Sequence, residues 1–332
     1  MGLASAIVRD PQIEPLGKKV KAPIVVRTTD CEAGLKLSET LARKYNGFFF
    51  PLQLSYFYHE LRTPRWWEKI RDHWDEVIDP HRIDMKVEEL KGLIKFLEVT
   101  TGKTFSITKL TKVMELVNEQ NDYFRKARDL IAETTPCPVT VAEHAIYGIQ
   151  PYRGTEQARD IVKMFYEDVK ERVEKGEAPC PNEKIRLMWA GSGLKSNRAF
   201  YRSFEDKYNA PFVCSGFLSV GADCYARAIL NNDPLRALAG RYVFLGNVRP
   251  NRELQHREAK LFKINGVVAQ LVNKSKDCPI HLLSPLNMKY LEKLGIPTCS
   301  IYADSRDIRE WDEARVKAQV SQFIEEKLLP YI

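Results

Sequence analysis

No stretch of this sequence approaches about eighteen uninterrupted apolar residues, so no membrane-spanning helix is expected. No two cysteines form a CxxC pair, and the seven present are an odd number. A disulfide framework is therefore not expected, and the alternatives left open are buried core thiols or ligands to a soft metal centre. The six histidines show no metal-ligand spacing, and no Ser/His/Asp arrangement follows from their order. GxGxxG and the Walker lysine pattern are both missing. Basic residues do not gather into a stripe with aromatics, which argues against nucleic acid. The scattered net charge of +7 better suits an anionic ligand, such as a nucleotide-tailed thioester, or an acidic partner protein. The N-terminus, MGLASAIVRDPQ, has no basic start, so a signal peptide is not expected and a cytoplasmic protein is. No short internal repeat is present.

What is there is ordinary for a globular chain: 44% hydrophobic and 29% charged residues. At 332 residues two domains are the default, divided at about residue 150 into 1–150 and 151–332. The stretch 261–304 shows the organisation best. Ile264 to Val272 is apolar and β-branched enough for a buried parallel strand. A polar loop then delivers Cys278. A helical pattern runs from Leu282 to Leu294, stopped by Gly295-Ile296-Pro297, and a second strand, Thr298 to Tyr302, ends at Asp304. Ligands of open α/β sheets sit beyond the carboxyl ends of strands, which singles out Cys278. His281 reads as a loop histidine.

Cys31 has the same local address. It lies between a strand, Ala22 to Thr28, and a helical segment, Glu32 to Lys44. A thiolate at a helix N-terminus is favoured by the helix dipole, which suits metal ligation. Gly47 to Gln53 reads as another strand. Trp66-Trp67 reads as packing more readily than as a pocket wall. A helical hairpin is expected over about 85–133, from the patterns Val87 to Thr100 and Lys109 to Ala132, with Ser106-Ile107-Thr108 capping the second. Residues 155–174 form an amphipathic helix. Ile185 to Trp189 and Pro211 to Ser215 read as strands, with a helix expected over Ser196 to Tyr208 and another over Ala222 to Leu230. Asp233-Pro234 opens a helix. Ala190-Gly191-Ser192-Gly193 weakly resembles a phosphate-binding loop. The alternation from residue 184 onward argues for a doubly wound parallel sheet.

Several of these segments resemble, together and in order, the iron–sulfur subunits of the 2-hydroxyacyl-CoA dehydratase and benzoyl-CoA reductase family. The carrying residues are Thr29-Asp30-Cys31, Leu97-Glu98 with Thr101-Gly102-Lys103, Asn118 with Asn121, and Ile185 to Trp189. Asp233 to Ala239, Asn265 to Val268 leading to Cys278, Gly295-Ile296-Pro297 and Asp304 complete the set. The resemblance implies an α/β fold of two flavodoxin-like domains, each a doubly wound parallel sheet, joined by the helical hairpin. It implies a [4Fe-4S] cluster whose iron is held by Cys31 and Cys278, with Cys224 and then Cys214 as reserve candidates. Its implied partners are an acyl-CoA substrate, a homologous second subunit in a hetero- or homodimer, and an ATP-dependent iron–sulfur activator protein. The implied chemistry is one-electron and of low potential: dehydration of a 2-hydroxyacyl-CoA through a ketyl radical, or reduction of an aromatic acyl-CoA ring. A non-catalytic structural or electron-relay subunit is the alternative. A generic two-domain α/β binding protein with every cysteine in the core is the third reading. The family pattern also includes a further cluster cysteine and an aromatic-rich motif ahead of the position of Cys31, so a truncated start or an incomplete cluster is expected.

Overall fold

The computed structural model describes residues 22–29, 32–53, 65–145, 147, 153–191, 193–194, 197–248, 252–271, 279–303 and 311–332. The first unit is a parallel strand pair. Strand β1 (Ile24–Thr28) runs into helix α1 (Glu32–Lys44) and returns as β2 (Phe48–Leu52). Helices α2 (Pro80–Thr101) and α3 (Ile107–Glu133) follow. The start of α2 lies ahead of the expected Val87, because Asp79 caps His81 N–H and Pro80 takes the first helical position. The cap on α3 is as expected, with Ser106 accepting from Lys109 N–H. The two helices do not pack along one another. Helix α2 lies on α6 (Pro234–Val248), whereas α3 lies mainly on α4 (Glu156–Lys175) and α5 (Gly216–Asp223) and touches α6 as well.

The second sheet is parallel throughout. It contains β3 (Leu187–Ala190), β4 (Phe212–Ser215), β5 (Gly266–Leu271) and β6 (Thr298–Tyr302), in the spatial order β4-β3-β5-β6. In chain order that is second, first, third, fourth, the order of a doubly wound sheet whose direction reverses between β3 and β5. Helices α7 (Arg252–Leu261), α8 (Pro279–Lys293) and α9 (Glu313–Phe323) complete this half.

Strand residues alternate between two cores, the signature of a sheet covered on both faces. Met188, Val213, Val267 and Ala269 face one, with Phe124 and Ile131 of α3 and Val162 and Phe165 of α4. Leu187, Trp189, Phe212 and Val268 face the other, with Phe200, Val316 and Val320. A third core joins Leu52, Trp66, Trp74, Leu90, Met114 and Phe244. Trp66 is fully buried with its ring 4.7 Å from that of Phe244, so this tryptophan is packing. Helix α3 contributes to both the first and the third core, which its 27 residues (about 40 Å of helix) allow.

Three expected helices differ. Residues 198–208 form a 3-10 turn and one helical turn in place of a continuous helix. The expected helix Ala222–Leu230 lies one element early: helix ends at Asp223, and residues 224–229 are extended or turned because other groups hold their backbone. Helix α8 begins at Pro279, so His281 falls within it and not in a loop. No helix among the described residues is long and apolar enough to cross a membrane.

Candidate functional site

Strands β3 and β5 meet at the point where the sheet reverses direction, so the groove beyond their carboxyl ends is the place to look first. Gly191 follows β3 at φ +109°, and a Cβ there would lie 2.7 Å from the Gln270 carbonyl oxygen. Only glycine lets the chain leave β3 that close to β5. Gln270 is fully buried, and its Nε2 donates to the Ala303 carbonyl at 3.0 Å. Ala303 N–H in turn donates to Leu271 O at 2.9 Å, so β5 and β6 are tied at this edge. Among the described residues, Gly191 is followed first by a 3-10 turn, Arg198–Arg202, and no long helix lends its dipole to a phosphate loop there.

Cys278 and Cys31, the two expected cluster ligands, lie outside the described residues, as do Asp30, Ser192 and Asp304. The elements that flank them are described. Strand β5 ends at Leu271 and α8 starts at Pro279, directly after Cys278; β1 ends at Thr28 and α1 starts at Glu32, directly after Cys31. Both cysteines thus follow the carboxyl end of a parallel strand and precede a helix.

The five described cysteines occupy the interior or a strand. Cys137 donates its S–H to Val139 O at 3.0 Å, and burial pushes its thiol up to about 12. Burial also pushes Cys180 and Cys299 up to about 11 each. Thiols held this firmly protonated are poor ligands. Cys214 lies 4.0 Å from Glu258, inside a buried ionic network. In it Asp223 accepts from Arg128 at 2.7 Å and from Arg257 at 3.0 Å. Cys224 is fully buried in the third core. Among the described residues, no three His, Cys, Asp or Glu side chains converge in a metal-binding group.

Cys224 opens a segment that two asparagines of α3 hold in place. The Asn121 amide donates to Gly221 O and, at 2.8 Å, to Ala222 O, while its Oδ1 accepts from Ala226 N–H at 2.7 Å. Asn118 makes a reciprocal pair with the Arg227 backbone, accepting from its N–H at 2.9 Å and donating to its carbonyl at 2.8 Å. Trp74 Nε1 donates to Ala228 O, and Ala228 N–H to Arg71 O. Two side chains one helical turn apart thereby replace the backbone bonds that a helix over 224–229 would have made.

This segment presents a group of arginines. Arg227 is fully buried, its guanidinium 5.0 Å from the Phe244 ring centre. Arg153 and Arg241 stack on Tyr225, 3.6 and 4.8 Å from its centre. None of the three makes an ion pair among the described residues, in contrast to Arg128 and Arg257. Arg227 Nη1 finds Ala226 O, but its Nε and Nη2, like Arg241 Nε, are buried without a partner. Burial pushes Arg227 down to about 9 and Arg153 down to about 10, with Arg241 a repelling neighbour of both and the Cys224 thiol an opposing influence. Arg241 is lowered as well, again by burial. At neutral pH all three stay charged. Cation–π contact returns about 0.5–2 kcal/mol per pair, whereas an unpaired buried charge costs several. Stacking alone does not account for the cluster.

The family model for 2-hydroxyglutaryl-CoA dehydratase, D-component, matches residues 9–326. The chain belongs to that family. Its curated relatives include the (R)-2-hydroxyisocaproyl-CoA dehydratase alpha subunit of Clostridioides difficile, 23% identical over 259 residues, covering 76% of this chain and 62% of the relative. The (R)-phenyllactyl-CoA dehydratase alpha subunit of Clostridium sporogenes is 23% identical over 261 residues, covering 74% of this chain and 60% of the relative. This chain therefore spans about three fifths of the length of these dehydratase subunits. The family membership expected from the ordered set of motifs between Thr29 and Asp304 holds. The arginine cluster was missed. Its trace in the sequence is three arginines at or near a tyrosine: Tyr152-Arg153, Tyr225-Ala226-Arg227 and Arg241-Tyr242.

Proposed function

We propose that this chain is a subunit of a 2-hydroxyacyl-CoA dehydratase and contributes Cys31 and Cys278 to a [4Fe-4S] cluster. The observation that carries this reading is the strand order β4-β3-β5-β6, which puts the strand before Cys278 at the reversal point of the sheet, in a chain matched by the dehydratase family over residues 9–326. The donor chemistry suits the group. Thiolates are the ligands of such clusters, and a thiol directly ahead of a helix is stabilised as thiolate. Cys137, Cys180 and Cys299 are held protonated by burial, and Cys224 is kept as the reserve ligand. When bound, the cluster supplies a one-electron couple at low potential. The protein's part is to close the carboxyl edge, through Gly191, Gln270 and Ala303, and to keep water from it.

Dehydration is favoured over ring reduction because the relatives above are dehydratase subunits by name. The reading includes two flavodoxin-like units dividing near residue 150, a homologous second subunit, an ATP-dependent activator and a cytoplasmic setting. The test is an anaerobic assay of the chain with its partner subunit, activator and ATP on (R)-2-hydroxyisocaproyl-CoA. Formation of the 2-enoyl thioester supports the proposal. An iron-loaded complex that neither binds nor dehydrates any 2-hydroxyacyl-CoA sinks it and favours a relay or structural subunit.

A further inference from the structure

We propose that Arg153 and Arg241, stacked on Tyr225, together with Arg227, which neighbours Arg241 and stacks on Phe244, form a binding site for a diphosphate group. Three guanidiniums with no carboxylate among their partners leave a positive charge near +3, which one carboxylate ligand would not balance and a diphosphate nearly would. The contrast lies within this molecule. Arg128, equally buried, is matched by Asp223 and Glu258, and that network needs no ligand. Arg227 in turn offers Nε–H and Nη2–H to no acceptor, although its side chain is fully enclosed. Arg241 offers Nε–H likewise.

Burial grades outward from there. Arg227 is enclosed, whereas Arg153, Tyr225 and Arg241 are only partly buried, so solvent reaches one end of the cluster. Arg153 also lines a narrow crevice with Gln120, Asn121, Phe124, Tyr147 and Gly221. The backbone of Arg227 is fixed by Asn118, and the turn before it by Asn121. The donors are therefore set in place before a ligand arrives, which reduces the ordering needed on binding. Arg153 and Arg241 lie on opposite sides of the segment in sequence, one before α4 and one within α6, so the site draws on three separate parts of the chain.

The diphosphate has two sources: the free anion, or the diphosphate of a nucleotide-tailed thioester. Only the second rests on the dehydratase reading. The experiment is calorimetric titration of the full chain, without iron, with inorganic diphosphate and with coenzyme A, at fixed ionic strength. Saturable binding of at least one of them, weakened tenfold or more in both Arg227→Met and Arg241→Met, supports the site. Should Arg227→Met not fold, the less buried Arg153 replaces it as Arg153→Gln with the same expectation. Coenzyme A binding tenfold or more tighter than diphosphate assigns the thioester as source; equal binding assigns the free anion. No binding of either ligand, or binding unchanged in the variants, overturns the site. Coenzyme A held equally by wild type and variants overturns it while leaving the dehydratase reading intact. Arginine-dependent diphosphate binding by a chain that never takes up iron upholds the site when that reading fails.

Discussion

Replacing Asn121 with alanine removes three hydrogen bonds at once, and their partners have nowhere else to go. Gly221 and Ala222 lie in the last turn of α5, where carbonyls lack intrahelical partners, and the Asn121 amide is what serves them. Ala226 N–H points at Asn121 Oδ1 from a segment that is neither helix nor strand. Asn121 itself is only 2% exposed, so water cannot readily take its place. A buried group left unsatisfied costs about 1–3 kcal/mol. Three of them, with some relaxation, put Asn121→Ala at about 3–5 kcal/mol. Asn121→Asp keeps the acceptor but faces two carbonyls with an anion, and should lose at least as much. Asn118→Ala frees two backbone groups of Arg227 and should cost about 2–3 kcal/mol. The assay is urea unfolding followed by tryptophan fluorescence, with midpoint and slope both recorded. A loss below about 1 kcal/mol for Asn121→Ala would refute the claim that this side chain holds the 221–227 backbone.

Three further outcomes are expected. Arg128→Met should destabilise by about 2–3 kcal/mol in urea unfolding, because Asp223 and Glu258 lose their fully buried cation and keep only the more exposed Arg257 from this network. His144 is fully buried, and burial pushes it down to about 4 from 6.5, so its contribution is present above pH 6.5 and lost as pH falls toward 4. The wild type should lose about 3 kcal/mol more than His144→Leu over that window in parallel pH titrations of stability, and equal losses would count against the assignment. Gly191→Ala should cost about 1–3 kcal/mol by thermal unfolding, through the positive φ and the approach to Gln270 O.

Local chemistry made most of the fold legible. Thr298–Tyr302 and Glu32–Lys44 are found where the patterns put them, since a short run after Gly295-Ile296-Pro297 and an amphipathic repeat are local signals. What escaped depends on contacts far apart in the chain. The segment 224–229 has a helical composition, and only Asn118 and Asn121, over a hundred residues earlier, explain why it is not a helix. Helices α2 and α3 are adjacent in sequence, yet they meet across α6 and a shared core and do not lie along one another. Of the candidate site, the strand ends leading to Cys31 and Cys278 were legible because strand, loop and helix follow in order. The arginine cluster was not, because a buried unpaired charge is a property of packing, and the sequence shows only three tyrosine-flanked arginines.

The central claim, that Cys31 and Cys278 hold iron, is tested most directly by iron content and thiolate-to-iron absorption after anaerobic production with the partner subunit. Cys31→Ala and Cys278→Ala should each lose most of the iron and the brown colour, while Cys137→Ala and Cys299→Ala keep both. Iron equal in all four variants and the wild type, or none in the wild type after reconstitution, would contradict it.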